Sequence, residues 1–395
     1  MPTASINPAV KALSAPPIPM VQKWGQSYDG ALGPLLDLSQ AVPGYPPHPD
    51  ILNWLSEAAR DTKLAGYGNI EGETELRTAY STHVGERYQT QMSPQNIHIT
   101  AGCNQAFITA IMTIAASGDS ILISNPFYFN HESTLDMLNI KCKIYDTDAE
   151  NGFLPNLTSM TEQIDPSVKA IVMISPNNPT GAIYPPALLE EAFSLCQKHG
   201  IWLVLDETYR DFLPSKREMP HTLFSHPNWG DNLIQLYSFS KSFCIPGHRL
   251  GSITAAPEVV NQIAKVMDNL QICAPRIPQW AVAKALPDLT NWREENRLEI
   301  AARSKTLQNV MTHCPDWKLK AVGAYFAYIE HPFEGYSSVM VAKNLARHRG
   351  IITIPGEFFG PQQSQYLRVA FANADQQMLE QLPERLNMVS LNTVD

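Results

Sequence analysis

Paired cysteines are missing from this chain. Its six cysteines, Cys103, Cys142, Cys196, Cys244, Cys273 and Cys314, stand far apart with no C-x-x-C spacing. That scatter argues against a zinc site or a disulfide framework and fits free thiols in a reducing compartment. No metal is expected. Long apolar runs are missing too, which argues against a membrane span. The opening segment MPTASINPAVKALSAPPIPMVQKW lacks the unbroken apolar core of a secretory signal, and a cytoplasmic protein is expected. Positive charge is scarce, with 29 Lys and Arg against 38 Asp and Glu and a formal net charge of −9. Nucleic acid and anionic membrane both reward a basic face, so neither is expected as the main partner. A small-molecule ligand is the natural alternative. Repeats and low-complexity blocks are absent, and the 31 prolines are dispersed.

What is present is a chain of 395 residues, 44% hydrophobic, too long for one ordinary core. Short apolar runs alternate with longer amphipathic ones: NIHIT (96–100), a helical stretch over 103–116, SILIS (120–124), KAIVMIS (169–175), a helix over 186–199, WLVLD (202–206), LIQLYS (233–238) and GSITA (251–255). Strands apolar on both faces and separated by helices predict an α/β fold, with a mostly parallel sheet covered by helices. The pattern then changes. A long helical segment leads into YFAYI (325–329), a helix over 337–349, ITIPG (352–356) and YLRVAFA (366–372), which suggests a smaller α/β domain. The expected division is an arm over 1–38 packed on the small domain, a large domain over 39–280, and the small domain over 281–395.

In such a sheet ligands bind at the carboxyl ends of the strands, so the residues just after each strand matter most. After NIHIT, Gly102 permits a tight turn, and the amides of Cys103 and Asn104 open a helix, which is a phosphate site. After SILIS come Tyr128, a flat surface, and His131. Asn178 follows KAIVMIS in a Pro-Gly turn. Asp206 ends WLVLD, with Tyr209 close behind. Ser238 and Arg249 flank Lys241 in LYSFSKSFCIPGHRLG (236–251). Singly, each has an ordinary reading: a solvated lysine, an aspartate capping a helix, a tyrosine in the core. Together they supply a stacking surface, a buried acid, hydrogen-bond donors, an anion cradle and an amine nucleophile. That inventory matches pyridoxal 5′-phosphate held as a Schiff base.

At these residues the sequence resembles the class I/II aminotransferases, the aspartate aminotransferase-like branch of the fold type I pyridoxal phosphate enzymes. YGNIEGETELR (67–77), SPNNPTG (175–181), DETY (206–209), SFSK with Arg249, IPGEFFG (354–360) and YLRVAFA stand in the family's order, between about Leu38 and Ala372. The resemblance implies that Lys241 forms the Schiff base and later moves the proton. Asp206 would hold the ring nitrogen protonated, with His131 behind it. Tyr209 and Asn178 would reach the ring oxygen, and Tyr128 would stack where the aspartate enzymes use tryptophan. Cys103, Asn104, Ser238 and Arg249 would hold the phosphate. Tyr67 would reach that phosphate from a second subunit, which implies a homodimer. Arg368 would bind the substrate carboxylate, with Asn178 and Ala41 beside the substrate. Ala41 stands where glycine is typical, and Cys244 occupies a position where cysteine is unusual.

Arg276 lies near the region where dicarboxylate-specific relatives place a second arginine, but packing or interface use is an equal reading, and it is left out of the expected site. The implied activity is transfer of an amino group from an amino acid to a 2-oxo acid. Tyr128, Phe129, Trp24 and Tyr45 favour neutral or aromatic donors. A C–S β-lyase of the same fold is the alternative within enzymes. A non-enzymatic effector sensor is a remote one, since no basic DNA-binding module accompanies this acidic chain.

Overall fold

A computed structural model describes residues 4–215 and 219–387; the outermost residues of the two expected terminal spans, 1–3 and 388–395, lie outside these. Strand β1 (Leu36–Asp37) precedes a mixed eight-stranded sheet built from β2 (Ile97–Thr100), β3 (Ser120–Asn125), β4 (Lys141–Asp148), β5 (Leu154–Pro155), β6 (Val168–Ile174), β7 (Trp202–Asp206), β8 (Leu233–Ser238) and β9 (Gly251–Thr254). Its spatial order is β2-β9-β8-β7-β6-β3-β4-β5. The block β8-β7-β6-β3-β4 is parallel throughout. Strand β9 runs against both β8 and β2, so β2 shares the direction of the parallel block. The carboxyl ends of β2, β3, β6, β7 and β8 therefore open on one edge.

The continuous apolar runs have a simple cause: both sheet faces are covered, and successive side chains point to opposite sides. Ile171, Met173, Leu203 and Leu205 enter one core. Ala170, Val172 and Val204, their immediate neighbours, enter the core on the opposite face. Helices run over Cys103–Ile114 and Pro186–His199 as the pattern predicts, the second beginning on proline and ended by Gly200 at φ +64°.

Four further strands, β10 (Lys318–Gly323), β11 (Phe326–Glu330), β13 (Ile354–Pro355) and β14 (Tyr366–Ala370), form an antiparallel sheet in the order β10-β11-β14-β13. Its core contains Phe326, Ile329, Leu367 and Val369. Strand β1 pairs in parallel with β12 (Ile351–Ile352), tying the segment just before residue 38 to the C-terminal part of the chain.

Two details differ from the sequence reading. The long helical segment is two helices, Arg276–Asp288 and Thr290–Met311, with non-helical dihedrals at Leu289 (φ −106°, ψ 28°). Pro287, which cannot donate to the helix ladder, stands at the break. The predicted helix over 337–349 is regular only over Ser338–Asn344 and widens to a π turn over Leu345–Arg349.

Candidate active site

At the shared strand edge lies a cavity of about 240 Å³ lined by Cys103, Asn104, Tyr128, Asn178, Asp206, Tyr209, Ser238, Lys241 and Arg249. These nine residues come from five separate sequence segments, which the strand topology brings together. Ile174, Thr208, Ser240 and Pro246 also line it. A larger cavity of about 770 Å³, walled by His83, Asp211 and Arg293 among others, shares none of these residues and holds no comparable set of groups.

The anion end is shaped by two glycines. Gly102 caps the helix Cys103–Ile114 at φ +86°, and a Cβ there would fall 2.1 Å from Nη2 of Arg249. A Cβ on Gly251 would fall 2.8 Å from the amide nitrogen of Cys103. The guanidinium and the helix N-terminus are packed together only because both positions lack a side chain. Ser240, in the turn that carries Lys241, has a buried hydroxyl with no hydrogen-bond partner among the described residues. An arginine, free helix amides and an orphaned hydroxyl around one space are the fittings of a phosphate group.

Asp206 stands across the cavity, 5% exposed. Its Oδ1 accepts the Thr208 amide at 2.9 Å, and the Cys103 thiol lies 3.7 Å from its Oδ2. Among the described residues no lysine or arginine pairs with it, and burial pushes its pKa up. His131 Nε2 lies 3.8 Å from the same oxygen. That imidazole stacks on Phe107 at 3.8 Å between ring centroids, and burial lowers its pKa to about 3, so it is neutral. A buried carboxylate whose neighbour carries no charge is suited to a protonated ring nitrogen.

Lys241 extends from a single helical turn, Phe239–Ser242, capped by Ser238. Its Nζ donates to the Ala41 carbonyl at 2.5 Å and lies 5.9 Å from the Tyr209 ring centroid. Burial, then the charges of Arg249 and Arg368, lower its pKa to about 8. At pH 7 roughly a tenth of the amine is then unprotonated, against well under a thousandth for an ordinary lysine.

Arg368 is 2% exposed and has no carboxylate partner among the described residues. Its Nη1 donates to Asn178 Oδ1 at 3.0 Å and its Nη2 to the Ser39 carbonyl, while Nε has no partner. The guanidinium lies 4.9 Å from the ring of Phe326 and 5.1 Å from that of Phe359. Burial lowers its pKa to about 10, so it stays charged at neutral pH. A buried cation with no carboxylate set against it is a ready receptor for a substrate carboxylate.

Of the expected residues, Tyr67 alone is far from this assembly in character: it is 79% exposed and does not line the cavity. Arg276 is engaged within the chain. It grips Glu73 with Nε and Nη2 at 2.8 and 3.1 Å and donates through Nη1 to the carbonyls of Lys63 and Gly66. Thr208 and Ser240 were not singled out from the sequence, although both lie inside motifs that were. The Ser39 carbonyl and the aromatic pair around Arg368 give no sequence signal, because a backbone acceptor can come from any residue.

The sequence profile described as aminotransferase class I and II matches residues 34–386. The chain is 26% identical over 358 residues to an aromatic aminotransferase of Arabidopsis thaliana, covering 89% of this chain and 88% of that protein. It is 26% identical over 345 residues to an aspartate aminotransferase of Pyrococcus abyssi, covering 86% and 88%. A double mutant of the Thermus thermophilus aspartate aminotransferase superposes with a TM-score of 0.88 at 23% identity, covering 97% of this chain and 99% of that one. With the profile spanning most of its length, the chain belongs to the class I and II aminotransferases, pyridoxal phosphate enzymes of fold type I.

Proposed function

We propose that this enzyme takes neutral or aromatic amino acids as donors, works by a ping-pong exchange at Lys241, and assembles its sites in a cytoplasmic homodimer. The observation that carries the catalytic part is one cavity holding a lysine of lowered pKa and an uncompensated buried acid, with a buried arginine, Arg368, hydrogen-bonded to the lining residue Asn178 and without a carboxylate partner among the described residues. Pyridoxal phosphate, when bound, supplies an electron sink for the pair of electrons left on the substrate's Cα. Cys103 and Asn104 amides, Ser238 and Arg249 would hold its phosphate, Gly102 giving them room. Asp206 would keep the ring nitrogen protonated, and the neutral His131 would hold Asp206 in place. Asn178 and Tyr209 would bond the ring oxygen, and Tyr128 would cover a ring face. Arg368 would grip the α-carboxylate with its two terminal nitrogens, orienting the Cα–H bond toward Lys241. The Lys241 amine, released from the Ala41 carbonyl, would take that proton on Nζ and return it to the cofactor's side.

The donor class rests on two features. Arg276 has its nitrogens committed to Glu73, Lys63 and Gly66 and offers nothing to a second carboxylate. Tyr128 and Phe129, with ring centroids 5.0 Å apart, give apolar surface. Both aromatic and aspartate enzymes occur among the relatives. A donor panel against a common 2-oxo acid tests the proposal: aromatic or neutral donors should give the higher kcat/KM, and a preference for aspartate would refute it. Release of ammonia without consumption of the oxo acid would instead favour the β-lyase reading. The domain division is proposed as first drawn, with 39–280 carrying the cofactor, 281–395 supplying Arg368, and the arm over 1–38 lying on the latter.

A further inference from the structure

The segment DETYRD (206–211) has two faces. Asp206, Thr208 and Tyr209 line the cavity, whereas Glu207, Arg210 and Asp211 turn the other way. Arg210 is 0% exposed, and its guanidinium lies 4.2 Å from the ring centroid of Tyr237 and donates to Tyr80 Oη at 3.0 Å. Asp211 accepts hydrogen bonds on one oxygen, Oδ2, from Tyr237 Oη at 2.5 Å and from the hydroxyl of Ser242. The two donors are themselves 2.8 Å apart. Ser242 is the residue after Lys241.

The helix bearing Lys241 is one turn, Phe239–Ser242. A single turn fixes several dihedrals for one hydrogen bond and does not hold itself. Its placement must come from outside. The Phe239 ring packs edge-on against Tyr80 and Tyr237, and Tyr325 Oη donates to the Lys241 carbonyl at 3.4 Å, a long contact. The backbone adds the Phe239 amide on the Leu250 carbonyl and the Ile245 amide on the Ser240 carbonyl, both at 3.2 Å, and the amine itself rests on the Ala41 carbonyl. Behind the turn, on the side away from the cavity, the side-chain anchor is Ser242 on Asp211. We propose that Asp211 is a positioning residue for Lys241: its carboxylate ties the lysine turn to the segment that carries Asp206, setting the amine's place relative to the acid that works with it. One six-residue segment would then fix both ends of the chemistry, the acid directly and the lysine through its rear face.

The inference rests on Lys241 being the cofactor lysine, and the experiment separates the two claims. Asp211→Ala, Ser242→Ala and Asp211→Asn would be purified as dimers with cofactor. For each, kcat, KM, the fraction of cofactor fixed to protein by borohydride, and thermal midpoint would be measured. Both alanine variants should lose about tenfold or more in kcat with KM for the donor within about threefold, and should show less cofactor fixed by borohydride, because misplacing a reacting group by a fraction of an ångström is felt in turnover before binding. Asp211→Asn can keep an acceptor oxygen in the same place and should recover most of that loss. If Asp211→Ala fails to fold, Ser242→Ala, which removes one hydroxyl, decides alone. Parental kcat and borohydride fixation in Ser242→Ala, or an asparagine variant as impaired as the alanine one, would overturn the proposal. Lys241→Ala run alongside reports on the lysine itself: cofactor still fixed by borohydride there would defeat the functional reading, whereas parental Asp211 and Ser242 variants would defeat only this one.

Discussion

Lys241 owes its lowered pKa to named neighbours, and that makes it testable residue by residue. Burial disfavours the ammonium first, and the guanidinium groups of Arg249 and Arg368 add repulsion. In cofactor-free protein, the rate at which an amine reagent modifies Lys241 should titrate with a midpoint near 8. Arg249→Gln removes a like charge, so the protonated amine becomes easier to keep and the midpoint should move up. A parental midpoint at the ordinary lysine value, or a downward shift in the variant, would show that these groups do not govern the amine. Asp206 is the converse case: its pKa is raised because burial removes water, and no cationic side chain among the described residues pairs with it. Asp206→Asn should keep the cofactor yet cut kcat by orders of magnitude, since an amide cannot hold a proton on the ring nitrogen. Turnover within about threefold of the parent would remove Asp206 from the mechanism.

At the level of elements, the site depends on where a strand ends and what the next turn permits. Thr100 ends β2, Gly102 turns at φ +86°, and the helix Cys103–Ile114 begins at once. An alanine at Gly102 would have to hold that φ, a strain of about 1–3 kcal/mol, and displace Arg249 from 2.1 Å away. Gly102→Ala should therefore weaken cofactor binding by about tenfold or more, read as the equilibrium constant from titration of the cofactor-free protein. Unchanged affinity would mean that the cradle is not formed by these two residues.

This part of the molecule was legible because its constraints are local. A glycine before a helix, a lysine after a strand and an acid at a strand end are short-range patterns. The strand Lys141–Asp148 was not legible: its residues are mostly exposed or half-buried, so KCKIYDTD shows no apolar run. Strand β10, KLKAVG, sits at a sheet edge with two lysines and was missed for the same reason. Nor could the sequence reveal that Arg276 grips Glu73, a partner some 200 residues away, because nothing local distinguishes that arginine from one that binds substrate.

For the whole molecule, the quantity to test is how many chains make one site. Tyr67 is 79% exposed, yet its segment is held firmly from behind. Arg276 binds the carbonyls of Lys63 and Gly66 and the carboxylate of Glu73, and the Gly68 amide donates to Cys273 Sγ at 3.3 Å. A large aromatic side chain presented to solvent on a braced loop fits a contact with a second copy, in which the phenol reaches the partner's phosphate. Tyr67→Phe should then loosen the cofactor by one hydrogen bond to a charged group, at most about 1.5–3 kcal/mol, without touching Lys241 in its own chain. Cofactor affinity should also rise with protein concentration across the dimer's dissociation range, because a ligand that prefers the dimer stabilises it. Mixed dimers give the sharper test. When a Tyr67→Phe chain pairs with a Lys241→Ala chain, one site combines an intact lysine with the partner's intact tyrosine, and the other carries both defects. Activity should return to part of the parental level, with parental cofactor affinity at the one competent site. Sedimentation showing a fully active monomer would refute the shared site, as would isolated mixed dimers whose competent site binds cofactor no better than the Tyr67→Phe homodimer.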